Sequence, residues 1–461
     1  MSSPEQVLQF GTGMLLRAIC AAAVDTANRA GAYDGRIVVV QNTPGGVAAQ
    51  VNRLHGTFVL AERGLVHGVP VQKESTIRSI SRALIAATQW PAIREVIVRP
   101  ELRVVVSNVT EAGFRLDDAE PMPEAFDPAS ASFPAKLTDL LHGRFVALPG
   151  APILWVIPTE LVPDNGPQLA AMVDTLAQRY ADAAPFRAWI GGRVRFCSSL
   201  VDRITTHSDP ETLATVTEPH SLWAIECDPA GLRDAFPVDE CSGGAVVFAP
   251  DITMYRERKL RLLNGAHTAL APLALRAGVR TVREAMADAV LGPFLRQVLE
   301  EIGPSTDLQA DAAQSYADSV IERFSNPWLE HEWSVIATNQ TAKLRLRVIP
   351  SIVAFQGRFG RVPPHLVRAL AASLRYARAV SRSGPATAEG WWGGRPYRIV
   401  DVDFDLIDRH WHEADPAPRA AAIPPGTMAR FAAAVLGDTA IWGQDLGHLC
   451  DAVTSALVAI E

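Results

Sequence analysis

Between residues 7 and 250 the chain alternates short, almost wholly apolar runs with stretches of helical period; beyond Tyr255 helical periods dominate. Val7-Leu8-Gln9-Phe10, Ile37-Val38-Val39-Val40, Arg103-Val104-Val105-Val106-Ser107 and Ile153-Leu154-Trp155-Val156-Ile157 are four such runs. A strand without polar alternation has both faces covered, which points to a parallel sheet with helices on each side. Val246-Val247-Phe248, ahead of Pro250-Asp251, reads as the last strand of this half. The acidic, proline-bearing segment Asp117–Pro128 reads as a loop within it.

The second half reads as helices over Lys259–Ala277, Val282–Ile302, Asp311–Phe324, Pro364–Val380 and Thr427–Leu436. Ser383-Gly384-Pro385, Gly393-Gly394 and Pro416–Pro425 read as surface loops between them. At 461 residues the chain is too long for one ordinary core. The expected architecture is an α/β, Rossmann-like N-terminal domain over residues 1–251. A mostly α-helical, substrate-binding domain follows over residues 252–461.

A net charge of −7 offers no footprint for nucleic acid or an anionic membrane. The five cysteines are scattered and lack CxxC spacing, which fits a reducing cytoplasm better than a disulfide framework. Met14–Val24 looks superficially like a secretory segment, but Arg17 interrupts it and a glycine turn precedes it. A cytoplasmic protein is expected, acting on a small molecule; its oligomeric state stays open.

Gly11-Thr12-Gly13 falls between the first strand and a helix over Met14–Arg29. A dinucleotide fold places its first glycines there, one for the turn and one to admit the pyrophosphate to backbone amides. Leu16 stands where the third glycine belongs, so an ordinary βα turn would read the same way. The second strand ends in Gln41-Asn42-Thr43, with neither the acid expected for NAD nor an arginine for NADP. Ser107-Asn108-Val109-Thr110-Glu111 ends another strand on the edge where cofactors bind, or forms a polar loop with a helix cap at Thr110.

Four lysines stand against 39 arginines, and one opens the segment Lys259-(x4)-Asn264-(x2)-His267. Lysine, unlike arginine, can be desolvated until it serves as a neutral base. On a regular helix Lys259, His267 and Asn264 fall at roughly 0°, 80° and 140° of one face. A base and two neutral donors can then converge on an alcohol carbon. Asp202 and Arg203 follow an apolar run and suit substrate hydroxyls or an internal ion pair. His410, His412 and Glu413 form the one close histidine group, with no second ligand pair to echo it; a solvated loop is expected there.

Phe10-Gly11-Thr12-Gly13-Met14-Leu15-Leu16-Arg17-Ala18, Asn165-Gly166, Val201-Asp202-Arg203-Ile204-Thr205 and the Lys259/Asn264/His267 motif occur in one order. Together they resemble the mannitol dehydrogenase family of long-chain polyol dehydrogenases, over residues 7 to about 360. Ser107–Gly113, Phe133–Thr138, Ile157–Leu161 ahead of Asp164-Asn165-Gly166, and Phe196–Leu200 look more like its tagaturonate-reducing branch. Polyol members tend to read Cys-Asp-Asn where this chain has Thr159-Glu160-Leu161.

The resemblance implies metal-free, reversible reduction of D-tagaturonate to D-altronate with NADH. It implies Lys259 as general acid/base, with Asn264, His267 and Asn165 as catalytic donors. Phe10, Gly11, Thr12, Gly13, Arg17, Ser107, Asn108, Thr110 and Glu111 would line the cofactor. A uronate carries a carboxylate that a polyol lacks, and a cation should meet it. Lys343 and Arg345, from the cluster Lys343/Arg345/Arg347, are nominated for that task, with Lys136 as a further candidate and Asp202 and Arg203 as substrate contacts. Fructuronate reductase and polyol 2-dehydrogenase activities are the nearest alternatives. A non-catalytic dinucleotide sensor is the alternative of another class, although a sensor needs no proton-transfer lysine.

Overall fold

The computed structural model describes residues 3–109, 113–116, 120, 123–415 and 423–461. It divides into two compact units, Met1–Gly64 with Pro70–Thr253, and Leu65–Val69 with Met254–Glu461.

The first unit is built on six parallel strands: β1 (Glu5–Phe10), β2 (Arg36–Gln41), β3 (Ile80–Ile85), β4 (Val104–Ser107), β5 (Leu154–Pro158) and β6 (Val194–Phe196). Their spatial order is 3-2-1-4-5-6, the doubly wound arrangement. Successive side chains feed two separate cores. Val7, Ile37, Val39, Val104, Val106, Trp155 and Ile157 pack on one face. Leu8, Phe10, Val38, Val40, Val105, Leu154 and Val156 pack on the other. Burial on both faces is why these strands read as unbroken apolar runs.

Val246–Ala249 is not part of that sheet. It pairs with Leu222–Glu226, which in turn pairs with Ser199–Asp202, in a separate three-stranded sheet. A further four-stranded sheet joins Phe58–Val66 and Val69–Ile77 to Thr205–Ser208 and Thr215–Thr217.

The second unit is mainly helical. Its central helix, Gly265–Ala277, is buried at every position from Gly265 to Ala274, as expected of a helix apolar on all sides. The stretch expected as one helix over Val282–Ile302 is broken into Val282–Ala287 and Leu291–Ile302. The Asp288 carboxylate accepts from the amides of Val290 and Leu291 and so restarts the chain as a new helix.

Ser383-Gly384-Pro385 and Gly393-Gly394, expected as surface loops, belong to a β meander, Ala379–Gly384, Thr387–Trp392 and Arg395–Val400. Gly393 and Gly394 both have positive φ (60° and 75°), the requirement of a tight two-residue hairpin. His410 and His412 lie on the helix Phe404–Ala414, not in a loop, and His410 Nε2 sits 2.9 Å from Asp438 Oδ2. Among the described residues, no helix is long and apolar enough to cross a membrane.

Candidate functional site

Among the described residues, three helical stretches contain a π turn, Arg17–Ala21, Lys259–Asn264 and Leu344–Val348, and each holds or adjoins sequence candidates. Such bulges are rare and concentrate at functional sites.

In the first unit, the C-terminal ends of β1, β4 and β5 are knitted together at the switch point of the sheet. Gly11 has φ +120°, and a Cβ there would stand 2.7 Å from the Asn108 carbonyl oxygen. Only glycine fits that approach. Gly13 begins the helix, and its Cβ position faces open space. A close backbone turn feeding an accessible helix start fits the pyrophosphate of a dinucleotide.

The loop after β4 is held from β5. Asn108 Nδ2 donates to Thr159 Oγ1 at 2.9 Å, and Thr159 Oγ1 donates to the Ser107 carbonyl at 2.7 Å. Glu160 is buried; its Oε1 accepts from the Val109 amide at 2.9 Å and its Oε2 from Ser107 Oγ at 3.1 Å. Burial raises the Glu160 pKa, and those hydrogen bonds oppose the rise. Glu160 was not among the sequence candidates; the departure of Thr159-Glu160-Leu161 from the polyol Cys-Asp-Asn pattern was its one signal. Thr110 and Glu111 lie outside the described residues.

Several expected ligand contacts are internal ties instead. Phe10 is fully buried, its ring 5.1 Å from that of Phe133. Arg17 donates to the Thr12 carbonyl at 2.7 Å, to Ser208 Oγ at 2.6 Å and to Thr215 Oγ1 at 3.3 Å. It braces the glycine turn against the four-stranded sheet, and desolvation pulls its pKa down to about 10. Arg203 donates to the Ala18 and Glu218 carbonyls and to Glu62, so its guanidinium is consumed inside the unit. Asp202 is buried with its carboxylate 3.2 Å from His220 Nε2.

Asn165, expected as an oxyanion donor, is a clamp. Its Nδ2 donates to the carbonyls of Pro158, Glu160 and Ser199 at 3.0–3.2 Å, and its Oδ1 accepts from the Ser199 amide. Both N–H groups are committed, leaving neither for a substrate oxygen. Lys136 also departs from expectation. It lies in the first unit, on the helix Phe133–Ala147, and its Nζ donates to Asn42 Oδ1 at the end of β2.

In the second unit the turn Lys259–Asn264 runs directly into the central helix that carries His267. A π turn hydrogen-bonds residue i+5 back to residue i and widens the turn, so Lys259 and Asn264 lie nearer one face than the roughly 140° of a regular helix. Pro272 has no N–H for the Thr268 carbonyl; Gln340 Nε2 supplies the hydrogen bond at 2.8 Å. The turn Leu344–Val348 packs against both the Lys259 turn and the central helix.

His267 is buried, stacked on Phe324 and edge-on to His331 and Trp333. Burial, then His331, Arg323, Arg347 and Lys343, hold its pKa well below the ordinary imidazole range. A neutral ring in a cationic neighbourhood is the result. Lys343 Nζ donates to the Ile336 carbonyl at 2.8 Å, and Arg347 donates to Thr268 Oγ1 at 3.3 Å. Arg345 points elsewhere, donating to the Ile441 carbonyl and standing 3.7 Å from Asp403. Arg323 and Arg347, the latter four residues from Lys343, are the other cations here, and Arg345 is not. Among the described residues, no group of three or more His, Cys, Asp or Glu could hold a metal ion.

Known proteins resemble this chain throughout. The mannitol dehydrogenase Rossmann domain matches residues 5–232, and the mannitol dehydrogenase C-terminal domain matches residues 251–389. The altronate oxidoreductase of Cronobacter sakazakii is 34% identical, over 96% of this chain and 91% of its own. That of Bacillus subtilis is 30% identical, over 97% and 90%. Among solved structures, Pseudomonas fluorescens mannitol 2-dehydrogenase, in a ternary complex with NAD and D-mannitol, superposes with a TM-score of 0.71. It is 21% identical and covers 99% of this chain and 91% of that one. A substrate-free D-sorbitol dehydrogenase has a TM-score of 0.74 at 20% identity, covering 99% and 95%.

Proposed function

The chain belongs to the mannitol dehydrogenase family and is an oxidoreductase; from that premise we propose that it interconverts D-tagaturonate and D-altronate with NAD as hydride carrier. The observation that carries the substrate class is the set of cations around neutral His267: Lys343, Arg347 and Arg323. A uronate carboxylate can accept a charge-assisted hydrogen bond from such a cation, and a neutral polyol cannot. The altronate oxidoreductase relatives point to the same sugar acid.

NADH, held at the Gly11–Gly13 turn, would supply the hydride for the carbonyl carbon in the reducing direction. Lys259 delivers a proton to the carbonyl oxygen as the C=O bond becomes C–OH, and takes it back in oxidation. Asn264 and neutral His267 donate hydrogen bonds to substrate oxygen without trapping its proton. The Gly11–Gly13 turn and the helix start behind it hold the pyrophosphate. Glu160 and Asn165 act through the loops they fix.

The test is NADH oxidation with tagaturonate, fructuronate and fructose in matched assays. Tagaturonate is expected to turn over fastest. A preference for fructuronate would keep the acid class and replace the sugar, and a preference for fructose would overturn both.

A further inference from the structure

β2 ends at the place where an NAD-selective fold carries an acid for the adenosine ribose hydroxyls. Here the residues are Gln41, Asn42 and Thr43. Gln41 is spent on its own loop: Nε2 donates to the Thr43 carbonyl at 2.8 Å, and Oε1 accepts from the Ala48 amide at 2.9 Å. Asn42, half-buried, is the side chain left at the ribose position. Lys136 reaches it from the first turn of the helix Phe133–Ala147, with Nζ donating to Asn42 Oδ1 at 2.8 Å.

A lysine only donates, so the oxygen of Asn42 must face it and the amide nitrogen must turn away. The strand end therefore presents the N–H donors of Asn42, backed by the buried charge of Lys136, in place of a carboxylate. Glu120 and Asp127 are the acids whose fields reach Lys136. Glu120 accepts from the Ser132 amide, and Asp127 from the Ala129 amide and the Ser130 hydroxyl. Lys136 itself is 2% exposed, and its desolvation outweighs those two acids. A buried ammonium hydrogen-bonded to a neutral amide is incompletely compensated and gains from an anion.

We propose that Lys136 and Asn42 form a site for the 2′-phosphate of an adenosine ribose, so that the chain binds NADPH as well as NADH. This deepens the dinucleotide reading above and rests on it. A carboxylate after β2 would repel a 2′-phosphate; this strand end attracts one, and the ribose hydroxyls of NADH can still accept from the Asn42 amide.

Equilibrium titration of the intact protein with each dinucleotide, followed by tryptophan-to-nicotinamide energy transfer, tests it without any turnover. NADPH and NADH are expected to bind within about tenfold of one another. Lys136→Met should weaken NADPH on the order of tenfold to a hundredfold, the range of one charge-assisted hydrogen bond, and NADH less than about threefold. Asn42→Asp should lose NADPH selectively, and Lys136→Arg should retain it. Parental NADPH binding more than about a hundredfold weaker than NADH would overturn the proposal alone. So would equal losses of both dinucleotides in Lys136→Met with a lowered melting temperature, the mark of a purely structural lysine. Failure of both dinucleotides to bind the parent protein would overturn the cofactor reading along with it.

Discussion

The ring of His267 lies flat on that of Phe324, with centroids 4.0 Å apart and planes 22° from parallel. Stacking of this kind fixes the ring orientation, and burial among cations keeps it uncharged. A histidine in that state can donate to a substrate oxygen at neutral pH without a competing titration.

Its folded pKa lies below the unfolded value, so on acidification the unfolded chain takes up the proton first. The stability that neutral His267 contributes is present above about pH 6.5 and is lost as the pH falls below it. His331 is shifted in the same direction, by burial and then Lys343. Melting temperature should therefore fall on going from about pH 7 to about pH 5.5, and fall less in His267→Gln. Parallel curves for the two proteins would show that His267 is not held neutral.

Gly11→Ala should damage the dinucleotide half selectively. The added Cβ meets the Asn108 carbonyl at 2.7 Å, and the φ of +120° is strained for alanine. A stability loss of about 1–3 kcal/mol is expected, with dinucleotide affinity falling further than the melting temperature explains. Denaturant unfolding and cofactor titration measure the two separately. An unchanged titration would mean that the turn does not hold the cofactor.

Glu160→Ala removes the acceptor of both the Val109 amide and the Ser107 hydroxyl. Buried donors left unpaired cost about 1–3 kcal/mol each. The loop after β4 should loosen, raising KM for the dinucleotide while kcat changes little. A fall in kcat with KM constant would instead make Glu160 part of the chemistry.

How far the sequence reveals this molecule depends on how local each cause is. β1, β2, β4 and β5 were legible because they lie inside the sheet and need apolar residues on both faces. β3 was not: it is an edge strand, and its Ser81 and Arg82 pair with Glu5 from a distant part of the chain. The Lys259/Asn264/His267 set stands out in the sequence by residue types and family resemblance, and its catalytic role is a proposal. The π turns were not legible, and nothing in the local residue types marks them. Arg345 was nominated beside Lys343, although Arg347, four residues on, is the one that shares its helical face. Lys136 was legible as an unusual lysine, but its helix brings it to β2, a pairing no local pattern encodes. Asn165 and Arg203 were read as donors to a ligand because their long-range carbonyl partners are invisible in sequence.

Lys259→Met should lower turnover on the order of a hundredfold to ten-thousandfold, the usual contribution of a proton-transferring group. Dinucleotide affinity by fluorescence titration should hold, because Lys259 belongs to the second unit and the glycine turn to the first. Near-parental turnover would remove Lys259 from the mechanism.

The three arginine and lysine positions of the Leu344–Val348 region separate the carboxylate reading from a structural one. Lys343→Met and Arg347→Met each delete a cation that acts on His267, whereas Arg345→Met deletes one tied to Asp403 and Ile441. A charge-assisted hydrogen bond contributes about 1.5–3 kcal/mol, which is roughly tenfold to a hundredfold in kcat/KM. That loss should appear for the keto-uronate and be absent for a neutral ketose in Lys343→Met and Arg347→Met. Arg345→Met should leave the ratio of the two substrates unchanged. Removing Arg347 also takes a hydrogen bond from Thr268, so its melting temperature should drop, and only the substrate ratio, which a fold defect cannot shift, decides the question. A ratio unaltered in both variants would mean that no carboxylate meets these cations, and the assignment to an acid substrate would fall.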